Sequence, residues 1–254
     1  MQDILVLDKG VGETPLECIN RFKKSHPEYE TVKMTYAGRL DPMASGALLV
    51  LAGDKVYEKE SFLKLPKTYE CVAVLGIETD TYDVLGLPSS SKLPLTPSWQ
   101  EGGSAPELLS SFVGAFKQKY PPYSSKTIKG KQMHNLARLG ELEKMEIPEQ
   151  QVTVKNISDI RMASIGAEDL VQEILENIGK VTGDFRQAET ILSWQGILDK
   201  NRGKRVDLLL FTIDVSGGTY IRGIVHELGQ KLAKGACILR LKRTNVGDYG
   251  ILDK

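Results

Sequence analysis

At 254 residues, 41% of them hydrophobic and 26% charged, the chain is long enough to bury a sizeable core and has the balance of an ordinary soluble globular protein. Its 33 basic and 33 acidic residues cancel, which weighs against a uniformly basic nucleic-acid binder and leaves that role to local patches. No apolar run approaches the roughly 18 residues a membrane helix needs, the amino terminus lacks the pattern of a secretory signal, and Cys18, Cys71 and Cys237 are too scattered for a disulfide framework or a structural zinc site, which predicts a cytoplasmic protein.

In chain order, "ILVLDK" reads as a short strand and "TPLECINRFKKSH" as a helix with Thr14 as N-cap and Pro15 in the first turn. "ALLVLAG" is a buried strand and "KVYEKESFLKL" a helix. "KTYECVAVLGIET" is a strand with Tyr69, Cys71, Ala73 and Leu75 on one face. Residues 86–105, rich in Pro, Ser and Gly, predict an exposed loop. "PELLSSFVGAF" reads as a helix, "YPPYSS" as a turn and "MHNLARLGE" as a short helix, followed by the strand-like "QVTVKNISDIRM". Leu170, Val171, Ile174, Leu175 and Ile178 then recur at helical spacing, and a second helix covers "AETILSWQGILDK". The two make a helical insertion at about 163–206. "VDLLLFTIDVSGG" resumes the β pattern, "TYIRGIVHELGQKLA" is a helix, and "CILRLKRTNVGDYG" closes as a strand. Strands and helices mix without regular alternation, so the predicted class is α+β.

Three stretches carry candidate chemistry. "AGRLDPMASG" fixes one carboxylate, Asp41, in a glycine-bracketed turn that enters a buried strand, a natural mount for a nucleophile, although Asp-Pro between glycines is also an ordinary turn. "GGTYIRG" puts Tyr220 and Arg222 at a helix start, with Thr219 as the expected cap; beside Asp41, such an arginine would orient the carboxylate. "GIETDTYDVLG" offers Glu78, Asp80 and Asp83, but lacks the Gly and Glu of a calcium loop. The three histidines form no ligand cluster, and phosphate-loop, dinucleotide and serine-hydrolase motifs are missing. Lys126, Lys129 and Lys131 in "SSKTIKGKQ" form one of three basic patches, each most simply a solvated face.

Taken in order, "LVLDKGVGETP", "YAGRLDPMASGALLVLAG", "KTYECVAVLGIETDTYDVLG", "PPYSSKTIKGKQMHNLARLGE", "VSGGTYIRGIVHELG" and "LRLKRTNVGDYG" resemble the TruB family of tRNA pseudouridine synthases. The resemblance implies a pseudouridine synthase fold, a mixed and mainly antiparallel sheet flanked by helices, with Asp41 at the floor of a cleft. It implies Asp41 as the nucleophile that isomerises uridine 55 in the T-loop of tRNA, with Tyr69 stacking on the flipped base and Arg222 pairing with Asp41. Tyr36, Gly38, Arg39, Tyr220, Leu241, Lys126, Lys129 and Lys131 are the implied substrate contacts. Neither cofactor nor metal is implied, and the expected state is a monomer with tRNA as its partner.

The chain also departs from the family pattern. Tyr36 stands where the family commonly carries His, Gly10 replaces a usual Pro, Pro15 a usual Ser, and His134 stands where Tyr or Phe is common. The chain ends just after "VGDYG", so the expectation is a catalytic domain without the small C-terminal RNA-binding domain. An RNA-binding folding helper and a nucleosidase remain as rivals. The latter usually needs a second carboxylate, and no obvious partner for Asp41 stands in the motifs. A guide-dependent rRNA modifier is a further rival.

Overall fold

The structure, a computed structural model, describes residues 2–89 and 104–251. Most of the loop expected at 86–105 lies outside the described residues. The chain opens with β1 (Ile4–Lys9) and α1 (Pro15–Ser25). Thr14 caps α1 as expected, through a reciprocal pair: its Oγ1 accepts from Glu17 N at 3.2 Å while Glu17 Oε2 accepts from Thr14 N at 2.7 Å. After β2 (Met34–Tyr36) and β3 (Ala44–Ala52), the expected helix "KVYEKESFLKL" divides into a 3-10 segment at Gly53–Glu58 and a short α2 (Lys59–Leu63), and β4 (Lys67–Leu75) follows.

One expected helix is corrected. In "PELLSSFVGAF" only α3 (Ala105–Ser110) is helical; Gly114, at φ 121, redirects the chain into β5 (Gly114–Lys119), whose backbone pairs with a later strand. Non-local pairing thus overrides local helical spacing. The lysine-rich segment folds as a hairpin of β6 (Thr127–Ile128) and β7 (Lys131–Gln132), with Lys129 and Gly130 both at positive φ, as a tight hairpin turn requires. Then come α4 (Met133–Arg138), a long β8 (Glu149–Gly166), α5 (Ala167–Ile178), α6 (Gln187–Asn201), β9 (Arg205–Val215), α7 (Ile221–Lys231), β10 (Ala236–Val246) and β11 (Tyr249–Gly250). The helical block is therefore tighter than its predicted span, because residues 163–166 still belong to β8.

The main sheet runs β1-β3-β10-β4-β9-β8-β5, with β2 against β3 and β11 against β10. All pairs are antiparallel except β3 with β10. The class is α+β as expected, with a mixed, mainly antiparallel sheet. Period-2 alternation sends β4 and β9 side chains to two faces. Tyr69, Cys71, Ala73, Leu75, Phe211, Ile213 and Val215 meet α3 and α7 through Leu109, Ile221, Ile224, Val225 and Leu228. Val74 and Leu208 point the other way and are covered by Leu170, Ile174, Trp194 and Ile197 of α5 and α6. Trp194 is fully buried, and its indole N–H donates to Val84 O at 3.0 Å; Thr190 Oγ1 donates to Leu85 O at 3.2 Å. The helical block thus covers one sheet face and fastens the loop that follows β4.

The turn before β3 is held from three sides. Arg243 of β10, buried, donates from Nε to Ala47 O at 2.7 Å and from Nη2 to Gly38 O at 3.0 Å. Gly12 N donates to Pro42 O at 2.8 Å. The buried Lys9 ammonium donates to Ala44 O at 2.5 Å, Gly10 O at 2.9 Å and Pro42 O at 3.4 Å. A side chain at Gly46 has no room: its Cβ would lie 2.3 Å from Arg243 O, and its φ is 98.

Two stability predictions come from this clamp. Gly46→Ala combines a disfavoured backbone conformation with a backbone clash, and should cost at least about 2 kcal/mol in urea unfolding; a wild-type midpoint would refute the clamp. Burial lowers Lys9 to about 8, against attraction from Glu13 and Asp41. Its folded value lies below the unfolded value near 10.5, so from pH 8 to pH 10.5 the unfolded chain holds more of this proton. This group's contribution to stability therefore rises with pH across that window and is lost as pH falls through 8. In Lys9→Met the rise should be missing relative to wild type when urea midpoints are compared at pH 8 and pH 10.

Candidate active site

Asp41 sits in the turn that closes through Ala44 N donating to Asp41 O at 3.0 Å. Arg222 lies in the first turn of α7, 181 residues further on. The entry to α7 is not capped by Thr219 as expected; the N-cap is Tyr220, and Thr219 Oγ1 donates back to Ser216 O at 3.0 Å. Buried Gln118 of β5 does the holding: its Oε1 accepts from Tyr220 N and its Nε2 donates to Tyr220 O, both at 2.9 Å. A strand partner absent from the local motif thus aims the helix start.

That aim delivers Arg222 to Asp41. Its Nε donates to Asp41 Oδ2 at 2.7 Å; the guanidinium side chain is 5% exposed and the carboxylate 32%. The other two nitrogens are also engaged: Nη1 meets Thr81 O, and Nη2 donates to Tyr123 O at 3.4 Å. Asp83 Oδ2 lies 3.7 Å from Nε. A buried guanidinium with acceptors on several sides is locked in one orientation, leaving the more exposed Asp41 as the part of the pair open to a substrate. Burial alone would lower Arg222, but Asp41 and Asp83 together hold it above its ordinary value. Burial pushes Asp83 up, against the pull of Arg222. Burial, followed by the charge of Asp41, also raises the Tyr220 phenol.

Tyr69 and Leu241 are both buried and share one apolar cluster with Leu40 and Ile221, the chain neighbours of Asp41 and Arg222. Leu241 pairs with Ala44 of β3 and Cys71 of β4, which sets it between the Asp41 turn and the Tyr69 strand. Gly38, at φ 97, presents its carbonyl to Arg243, and Arg39 is exposed. Tyr36 packs on the cluster of Leu5, Cys18, Leu48 and Val50, with the Lys59 ammonium 5.3 Å from its ring centre. Lys126, Lys129 and Lys131 are exposed on the hairpin, Lys126 with its ammonium 4.9 Å from the Tyr120 ring centre and Lys131 3.5 Å from Glu141.

Several members of the site are not evident from the motifs. Asp83 is a second carboxylate at the same arginine, contrary to the expectation that Asp41 has no such partner. In the sequence it reads only as a metal-loop candidate far from Asp41, and only the fold reveals the shared guanidinium. Lys9 and Arg243 stand within the quoted motifs without an assigned role, and both are buried. The acidic loop is occupied by protein donors: Gln230 binds Glu78 at 2.6 Å, Arg186 binds Asp80 at 2.7 Å, and Thr81 Oγ1 binds Asp83 at 2.7 Å.

Comparison with known proteins accords with this geometry. The family model described as TruB family pseudouridylate synthase (N terminal domain) matches residues 26–175. Proteins named tRNA pseudouridine synthase B are similar along nearly the whole chain. The one from Aquifex aeolicus is 27% identical over 99% of this chain and 70% of its own length. That of Prochlorococcus marinus (strain NATL1A) is 28% identical over 96% and 62%, and that of Chloroherpeton thalassium 26% identical over 98% and 85%. Among solved structures, a chain in the crystal structure of a Cbf5-Nop10-Gar1 complex superposes with a TM-score of 0.56 at 20% identity, covering 98% of this chain and 50% of that one. A chain of an H/ACA RNP bound to a substrate RNA containing 2'-deoxyuridine gives 0.54 at 18% identity, over 98% and 49%. These two structures share the fold. With the family model spanning more than half its residues, Asp41 and Tyr69 among them, the chain belongs to the TruB family of pseudouridylate synthases.

Proposed function

We propose that this protein isomerises uridine to pseudouridine in tRNA, at position 55 of the T-loop, with Asp41 as nucleophile. The observation that carries the reading is the 2.7 Å Asp41–Arg222 contact beside an apolar wall that includes Tyr69 and Leu241, in a chain of this family. In the reaction the C1′–N1 bond breaks, the uracil turns, and a C1′–C5 bond forms; C5 loses a proton and N1 gains one. Atoms and oxidation state balance without cofactor or metal. A base in a folded T-loop must leave its stack before a carboxylate reaches it, so Tyr69 is assigned to stack on the extruded ring and Leu241 to line the pocket. Arg222, itself buried, holds Asp41 in a set orientation by a charge-assisted hydrogen bond. Tyr220, Gly38 and Arg39 are assigned to the pocket rim. Tyr36 is assigned to the substrate side as well, though its ring packs under α1.

The exposed lysines of the β6–β7 hairpin are assigned to phosphates of the T-arm. We place the protein in the cytoplasm as a monomer; its three cysteines are free and buried, and no helix among the described residues is long and apolar enough to cross a membrane. The sheet with its α5–α6 block is read as one catalytic unit.

Asp41→Asn keeps the shape of the side chain but removes the nucleophile. It should yield no pseudouridine in a carbodiimide primer-extension assay on unmodified tRNA, while binding that tRNA within a few-fold of wild type. Wild-type turnover in this variant would end the assignment. Replacing Lys126, Lys129 and Lys131 with Gln should weaken tRNA binding and flatten its dependence on log salt by roughly 0.7 to 0.9 for each phosphate that is no longer neutralised. An unchanged slope would remove the hairpin from the interface.

A further inference from the structure

Arg186, the N-cap of α6, is in a left-handed conformation, φ 61, which costs a non-glycine residue about 1 kcal/mol or more and persists only where its surroundings enforce it. What enforces it lies across the molecule. Its Nη2 donates to Asp80 Oδ2 at 2.7 Å, and its guanidinium carbon stands 5.0 Å from the centre of the Tyr123 ring. Tyr123 O–H donates to the same Asp80 oxygen at 3.1 Å, and the other Asp80 oxygen accepts from Leu87 N at 2.8 Å. The short segment before Arg186 is anchored too: Arg138 of α4 reaches Asp184 O at 2.6 Å and Asp184 Oδ2 at 3.2 Å.

Tyr123 and the neighbour of Asp80 are the two residues whose backbone carbonyls receive Arg222, at Tyr123 O and Thr81 O. Arg186 therefore grips, through one carboxylate and one ring, both backbone segments that cradle the arginine paired with Asp41. We propose that Arg186 is a positioning residue: the α5–α6 block braces the Thr81 and Tyr123 carbonyls through Arg186, and thereby fixes the orientation of Arg222 and Asp41. The catalytic part of this inference rests on the function proposed above. Bracing is what the site needs, because small misplacements of a catalytic group cost large factors in rate.

The test compares Arg186→Ala, Arg186→Lys, Asp80→Asn and the Ala/Asn double variant in steady-state kinetics on unmodified tRNA. Arg186→Ala should lower kcat about 10-fold with KM within about twofold. Arg186→Lys, which keeps the charge but cannot stack or fork, should fall between. The double variant should be no worse than the poorer single one, since both cut the same brace. A loss in KM alone would make Arg186 an RNA contact, and unchanged kcat or multiplying losses would likewise overturn the proposal. A second readout needs no turnover: solvent exchange of the Arg222 Nε–H proton, followed by 15N NMR in the free protein, should be several-fold faster in Arg186→Ala and in Asp80→Asn than in wild type. Unchanged exchange would refute the brace even in an active enzyme. A wild-type protein inert on tRNA would refute the proposed activity and leave the exchange measurement to decide the brace.

Discussion

A guanidinium with 5% of its surface exposed has to be matched on every side, and the architecture around the site can be read as the means of matching Arg222. A buried charge left unpaired costs several kcal/mol; here Asp41, Asp83 and the carbonyls of Thr81 and Tyr123 share the task. These acceptors come from three separate segments, so the arginine can be satisfied only when the turn before β3, the loop after β4 and the segment after β5 have all reached their places. The contact between Asp41 and Arg222 is in that sense a product of the whole sheet rather than of either motif.

Each segment is fixed by devices of its own. The Asp41 turn is clamped by Arg243, Lys9 and Gly12, all through backbone carbonyls. The loop after β4 is fastened from the opposite face of the sheet by Trp194 and Thr190. The start of α7 is set by Gln118 reaching across from β5. Within the pair, Asp41 alone keeps appreciable exposure, at 32%. A rigid shell around one accessible carboxylate is the arrangement a pre-set active site calls for.

Much of this is legible in the sequence where the signal is local. The Thr14 cap of α1, the alternation of β4 and the helical stripe of α7 follow from periodicity and side-chain chemistry within a dozen residues. The Asp41–Arg222 pairing is expected only through resemblance to a family, since nothing in either motif encodes a meeting 181 residues apart. What escapes is uniformly non-local. Gly114–Phe116 looks helical because its partner in β8 lies some forty residues away. Thr219 looks like a cap because Gln118, which does the capping work, lies a hundred residues upstream. Asp83 and Lys9 carry ordinary charged side chains, and only their burial makes them structural. The α5–α6 helices are plain from spacing, but their purchase on the acidic loop through Arg186 and Trp194 is not.

The central claim is that one extruded pyrimidine fits against Asp41. Its most direct test is a crystal structure of the protein bound to a T-arm stem-loop with 5-fluorouridine at position 55. The account predicts the base out of the loop stack, with the Asp41 carboxylate within about 3.5 Å of the ring or its C1′ and Tyr69 against the ring face. A base still stacked in its loop, or lodged away from Asp41 with the Arg222 contact undisturbed, would contradict it.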